Sequence, residues 1–357
     1  MALSISRVMR RAPFFQKRLE STMACLTKDE ILILLRPPFT NWSNIIREAE
    51  KVVGYPTSFM NLRCLLSDEF ANLALYLRKL VGSNHLVMQT AKNVLYGDSK
   101  NLQPWGLIIL LLSKSVRTIA STQHLKSIDE QQRQLAELTE MMRTGHLIHR
   151  GIVNVPFAKR SKNTESAIFG NKIAILLGDY LLVTANSMLA GLKNADVLYT
   201  VSTALKDLSE SEFFGERDEQ NMPLLGRSCQ SAMLLGRQGR DVQNYAYHFG
   251  CNLGLAWQAA TEIQKLTSDS KDQFCLTSAP VLFALEGNPD LYKIIDQAKK
   301  DVKDVDYEDL KFNILKTDAV DKTKMLYEEH ARKATSLIEN IGDNESVDMI
   351  KKLINTF

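Results

Sequence analysis

Strand signals are almost missing from this 357-residue chain, since period-two alternation of apolar and polar residues is hardly found. That excludes sheet-based folds. Cysteine is scarce too: Cys25, Cys64, Cys229, Cys251 and Cys275 are odd in number and scattered. Without a Cys-x-x-Cys pair or a His/Cys zinc spacing, neither a disulfide framework nor a structural zinc site is expected, and the chain reads as one kept in a reducing compartment. Proline is absent between Pro156 and Pro223, so long helices can run there uninterrupted. No apolar run is long enough to cross a membrane. Leu107–Leu112 is too short and is followed by Ser113 and Lys114, which suits a fully buried central helix better. There is no internal repeat, low-complexity tract or composition break that would mark a second folded domain.

A strong charge imbalance is lacking as well. The formal charge is +3, and much of that sits in residues 1–26. Arg7, Arg10, Arg11, Lys17 and Arg18 alternate there with Leu3, Ile5, Val8, Met9, Phe14 and Phe15, and Glu20 is the lone acid. Such a cationic, acid-poor, serine-bearing stretch reads as a mitochondrial transit peptide. Removing those five cations and one acid takes the formal charge from +3 to −1. A near-neutral body gives no reason to expect nucleic acid as a partner.

What the chain has is helix after helix. Asn41 or Ser43 can cap a helix with Ile45, Ile46, Ala49, Val52 and Val53 on one face, closed by Gly54 and Pro56. Apolar residues at helical spacing predict further helices over 65–80, 167–192, 195–208, 224–235 and 242–265. Ser127-Ile-Asp-Glu130 has the form of a capping box opening the helix that runs to Arg150. Helices over 307–316, 321–338 and 345–354 complete the chain. Two polar loops, 154–165 and 209–220, are expected between them. Short joints containing Gly, Asn, Asp and Ser fit antiparallel neighbours, so the prediction is an all-α antiparallel bundle forming a single domain over residues 40–357.

Glu140-Met-Met-Arg-Thr-Gly-His-Leu-Ile-His149 leads into Arg150-Gly151-Ile-Val-Asn154. This resembles the first aspartate-rich helix of the trans-prenyl diphosphate synthases, where Glu-Met-Ile-His-Thr-Ala-Ser-Leu-Ile-His runs into Asp-Asp-x-x-Asp. The three aspartate positions hold Arg150, Gly151 and Asn154. Leu253–Gln258 resembles the lead-in to the second such motif, whose aspartate positions hold Thr261, Glu262 and Lys265. Phe169-Gly-Asn-Lys-Ile-Ala-Ile-Leu-Leu-Gly-Asp-Tyr-Leu-Leu182 is similar to the family's Phe-Gly-Asn-Lys-Leu-Ala-Val-Leu-Ala-Gly-Asp-Phe-Leu-Leu. The family's phosphate segment Gly-Gly-Lys-x-x-Arg-Pro is matched to Val81–Leu86, where lysine and arginine are missing. Val53–Glu69 and Ser278-Ala-Pro280 bring the resemblance closest to one branch, the non-catalytic second subunits of decaprenyl diphosphate synthase.

Carboxylates at i and i+4 share a helix face, and magnesium is held through one or two carboxylates together with substrate phosphates. Of six such positions this chain keeps one acid, Glu262, and two are now cations, Arg150 and Lys265. The resemblance therefore implies an isoprenoid synthase-type bundle with no catalytic residues, cofactor or metal of its own. It also implies a catalytic partner subunit with intact aspartate motifs and its magnesium, in a heterotetramer that makes the polyprenyl tail of ubiquinone. In the family, the fifth residue before the first aspartate lines the product tube, and that position is Gly145. His149, Lys172, Asp179 and Gln258 match family positions near the pocket. For each, helix packing or a satisfied polar group competes with substrate contact. Two other functions stay open: a prenyltransferase using Glu262 with acids such as Glu137 and Glu140, and an isoprenoid-lipid-binding homodimer with no synthase partner.

Overall fold

A computed structural model describes residues 41–55, 104–116, 122–152, 162–214, 223–268, 274–298 and 304–356. The expected helix over 65–80, the segment Val81–Leu86, the presequence and Asn154 lie outside them. The described residues contain no strand. Their helices are α1 (Asn41–Val53), α2 (Trp105–Ser115), α3 (Thr122–Arg150), α4 (Lys162–Gly191), α5 (Ala195–Phe214) and α6 (Pro223–Leu235). There follow α7 (Arg240–Thr267), α8 (Ala279–Gly287), α9 (Tyr292–Asp296), α10 (Tyr307–Ile314), α11 (Ala319–Glu339) and α12 (Glu345–Thr356).

The short apolar run is the centre of the bundle. In α2 every residue but Lys114 is buried, because the helix has no polar face to offer water. It packs against α1, α3, α6 and α12, each giving it an apolar stripe. Burying side chains such as Leu107, Ile108, Leu111 and Leu112 contributes about 1.5–3 kcal/mol apiece before entropy is counted. Asn344 fixes the end of this helix. Its amide donates to the carbonyls of Lys114 and Ser115 at 3.0 and 3.1 Å. Its Oδ1 accepts from the amides of Ser346 and Val347, which caps α12. One side chain thus closes two helix ends.

Most of the core is continuous from α1 to α7 and on into α11 and α12. A smaller cluster joins Leu266 of α7 and Ala319 of α11 to residues of α8 and α10. Because α7 and α11 contribute to both clusters, the two form one folded body.

Element bounds depart from the sequence reading where charge was taken for loop. Helix α5 runs on to Phe214, supported by the Lys206–Glu210 pair at 3.1 Å, and α4 starts at Lys162, inside the expected loop. The capping box at Ser127 does not open its helix, which begins at Thr122. Residues 122–126 contain neither proline nor glycine, so nothing in them stops the helix from starting earlier. At the end of α1 the expectation holds: Gly54 has φ +74° and donates to the Glu50 carbonyl, a left-handed helix end that suits glycine.

Helix α4 contains the one stretch among the described residues, Ala167–Gly191, that is long and apolar enough to cross a membrane. It lies along α3, with Ala174, Leu177, Leu181, Ala185 and Leu189 in the shared core. The sequence reading had named no such span.

Candidate functional site

Two helix segments carry the altered motifs: the C-terminal end of α3 and the last turns of α7. On α3, Arg150 is the last helical residue and is exposed, while Gly151 is buried just beyond it and donates to the Ile148 carbonyl at 3.0 Å. His149, one residue before, turns towards α4. Its Nε2 lies 3.3 Å from the Ile175 carbonyl and 3.3 Å from Oδ1 of Asp179. Gly178 makes this contact possible. A Cβ added there would come within 2.2 Å of the imidazole, so the ring occupies the space a side chain would fill. Gly145 is buried one turn earlier on α3. Its Cβ position is 3.1 Å from the Gly178 carbonyl oxygen and 3.2 Å from Cγ of Leu182. The proposed tube-wall residue therefore sits where α3 and α4 touch, against α4 backbone.

On α7 the polar groups are engaged within the chain. Thr261 donates its hydroxyl to the Trp257 carbonyl of its own helix at 2.7 Å. Glu262 accepts from Gln258 at Oε1 (3.0 Å) and from the backbone amide of Ala279 at Oε2 (2.8 Å). The second contact satisfies one of the amides that the first turn of α8 leaves open and places a negative charge at the positive end of that helix. Lys265 is exposed in the last turn of α7.

This arrangement does not fit a divalent cation. The remaining acid has both oxygens committed, the threonine is bonded to its own helix, and Arg150 and Lys265 are cations. Like charges repel at about 4 kcal/mol for unit charges 4 Å apart at an effective dielectric of 20, and a divalent ion fares worse. Among the described residues, no three His, Cys, Asp or Glu side chains converge as a ligand set.

Lys172 and Asp179 are exposed on the outer face of α4. Glu137 and Glu140 point to the other side of α3. Glu137 accepts from the Tyr55 hydroxyl at 2.7 Å, and Glu140 accepts from the Gly106 amide at 2.8 Å, at the start of α2. Arg143 lies 3.8 Å from Glu140 and stacks over Trp105, 4.9 Å from the ring centroid. Sequence reading had no route to the α8 cap. Ser278-Ala-Pro280 entered the sequence reading as part of the resemblance alone, and α8 is nine residues long, too short for its period to show.

Glu262→Ala is expected to cost about 1 kcal/mol, the usual worth of a helix cap. Hydrogen exchange checks this: the first-turn amides of α8 should lose protection while those of α7 keep theirs. Equal protection in both proteins would count against the capping role.

The model of the polyprenyl synthetase family matches residues 103–311. Human all trans-polyprenyl-diphosphate synthase PDSS2 is 35% identical over 347 residues, covering 88% of this chain and 86% of its own. A probable mitochondrial hexaprenyl pyrophosphate synthase of Neurospora crassa is 27% identical, over 82% and 80% of the two chains. The crystal structure of polyprenyl synthase from Caulobacter crescentus, complexed with calcium and isoprenyl diphosphate, superposes with a TM-score of 0.63. It is 17% identical and covers 88% of this chain and 96% of that one. The helical bundle is therefore of the isoprenyl diphosphate synthase type.

Proposed function

Because this chain belongs to the polyprenyl synthetase family, we propose that it is the catalytically silent subunit of a heteromeric all-trans-polyprenyl diphosphate synthase. The observation that carries this reading is Glu262. The one acid kept at the motifs' aspartate positions is bound to Gln258 and to the α8 backbone, where it serves the fold. A partner subunit with intact aspartate motifs supplies the magnesium site, and with it the ionisation of an allylic diphosphate and its condensation with isopentenyl diphosphate. Magnesium, when bound there, neutralises the departing diphosphate. This chain contributes a folded body against which the partner assembles. The product is the isoprenoid side chain of ubiquinone, and the location is the mitochondrion. Relatives named mitochondrial and the presequence-like residues 1–26 support that location.

The phosphate segment takes a better register than Val81–Leu86. Lys100-Asn-Leu-Gln103-Pro104 has lysine and proline at the Lys-x-x-Arg-Pro spacing, leads directly into α2, and adjoins the start of the family match at residue 103. Glutamine stands where the arginine belongs, so the two-pronged guanidinium contact with phosphate is lost. The lysine is kept.

An active enzyme using Glu262 with Glu137 and Glu140 has less support. Glu137 and Glu140 face α1 and α2, where each holds a hydrogen bond. The test is coexpression with the organism's aspartate-bearing synthase, followed by turnover assays with magnesium, farnesyl diphosphate and isopentenyl diphosphate. Turnover is expected for the complex and not for this chain alone. Chain elongation by the isolated protein at a rate typical of its relatives would refute the reading. A homodimer that carries lipid and captures no synthase would favour the binding-protein alternative.

A further inference from the structure

A polyprenyl product is a long branched hydrocarbon, and it needs an open lumen wherever it lies. The altered motifs mark the end of the bundle where its diphosphate would sit in this chain. The helix faces that run inward from them mark the path its tail would take. On α3 that face carries Gly145, Met142, Leu138 and Leu135, three or four residues apart and so on one side of the helix. The stretch is about 15 Å long, from a rise of 1.5 Å per residue. On α7 the corresponding face carries Trp257, Leu253 and Phe249, each four residues from the next.

That path is filled with side chains. Leu135, Leu138 and Met142 are 0% exposed, and so are Phe249, Leu253 and Trp257. All six belong to one continuous core. An isoprenoid chain carries a methyl branch on every five-carbon unit, so a lumen that admits it is wide enough for water. Its walls would then have accessible surface, and these six residues have none. Trp257 and Phe249 are the two bulkiest fully enclosed side chains among the described residues. Two large aromatic groups on the face that leads away from the second motif leave a close-packed interior there.

Gly145 closes the same space from the side. A Cβ on it would lie 3.1 Å from the Gly178 carbonyl oxygen and 3.4 Å from Cβ of Leu181. The family segment similar to 140–149 has alanine at this position. This chain lacks that methyl, and the α4 backbone occupies the room the methyl needs. The residue that lines the tube in relatives is here a point of contact between two helices.

We propose that the growing polyprenyl chain is housed wholly by the aspartate-bearing subunit, and that this chain is solid along the path its relatives keep open. The proposal rests on the heteromeric reading above and deepens it. The number of isoprene units is then set by residues of the partner. This subunit acts on the product through the partner's fold and not by holding the tail.

Photolabelling of the unmodified complex tests this without depending on how any variant folds. The full chain, coexpressed with the aspartate-bearing subunit, is given a benzophenone-bearing farnesyl diphosphate analogue, magnesium and isopentenyl diphosphate, then irradiated and digested. Label that excess farnesyl diphosphate competes away should fall on the partner and be absent from this chain. Competable label on peptides covering residues 135–145 or 249–257 of this chain, or elsewhere on it, would overturn the proposal. Product length supplies a second readout. Met142→Ala here, which would widen a lumen if one existed, should leave the product distribution unchanged while lowering the melting temperature. A bulky residue five places before the partner's first aspartate should shorten the product. Longer product from Met142→Ala would overturn the proposal as well. If the wild-type chain captures no aspartate-bearing subunit, the heteromeric reading fails and the proposal with it. Capture together with competable label on this chain defeats the proposal alone.

Discussion

Glu140→Ala is expected to destabilise the protein by about 3–5 kcal/mol, the cost of breaking a buried ion pair from one side. Glu140 is 5% exposed and joins three things. It accepts from the Gly106 amide at the start of α2, faces Arg143 at 3.8 Å, and through Arg143 braces Trp105. Removing the carboxylate leaves a guanidinium almost out of water and an amide of the central helix without its acceptor. For a chain of this size the melting temperature should fall by roughly 5 °C, followed by circular dichroism. Glu140→Gln, which keeps an oxygen for Gly106, should fall by less. A melt of Glu140→Ala within a degree or two of wild type would show that the pair adds little to the net.

The same residue gives a pH dependence of unusual sign. Burial raises the Glu140 pKa above the ordinary carboxylate value of 4.5, against the opposing pull of Arg143 and of the Gly106 and Trp105 amides. The folded chain therefore binds this proton more tightly than the unfolded chain. As pH falls through the folded value towards 4.5, the folded state takes up a proton that the unfolded state does not. Stability from this group rises there, and it is lost again as pH rises through the folded value. The exposed carboxylates of Asp290 and Glu329, held low by Lys293 and Lys333, act in the opposite direction. The comparison should thus be made against Glu140→Gln. The stability difference between wild type and that variant should move in favour of wild type as the pH is lowered.

Much of this was legible in the sequence, for a physical reason. Long helices buried on one face repeat their apolar residues every three or four positions, and α4 to α7 were readable from that period, although α4 starts earlier and α5 ends later than expected. The altered aspartate positions were legible because they are local, each motif lying within a few consecutive residues of the sequence. What escaped was contact across the chain. Glu262 and Ala279 are brought together by the turn between α7 and α8, and no periodicity reports that. Glu140 reads as an acid on a candidate catalytic helix until α2 is packed against it. Gly145 reads equally well as an open tube wall or as a close helix crossing, and the position of Leu182 and the Gly178 carbonyl supplies the crossing.

Gly250→Ala should be a damaging methyl addition in the bundle interior. Helices α6 and α7 pass each other at Gly226 and Gly250. A Cβ on Gly250 would lie 2.8 Å from the Gly226 Cα, 2.9 Å from the Leu225 carbonyl oxygen and 3.0 Å from the Cys229 sulfur. Two of those three neighbours are backbone, so no rotamer change relieves them and the helices must separate. Overpacking of this kind costs about 1–3 kcal/mol, measurable by urea unfolding. At Gly226 the nearest atom is the Cys251 sulfur at 2.4 Å, with the Tyr247 carbonyl oxygen at 3.0 Å. Gly226→Ala should therefore cost less, because part of the strain can be taken up by a side chain. The two changes should not add. Once one methyl has pushed α6 and α7 apart, the second finds space already made, and the double variant should be more stable than the sum of the singles predicts by about 1 kcal/mol. Strict additivity would mean that Cys251 alone yields at Gly226 while the helices keep their distance, placing the cost of Gly250→Ala in local strain and not in separation of the helices.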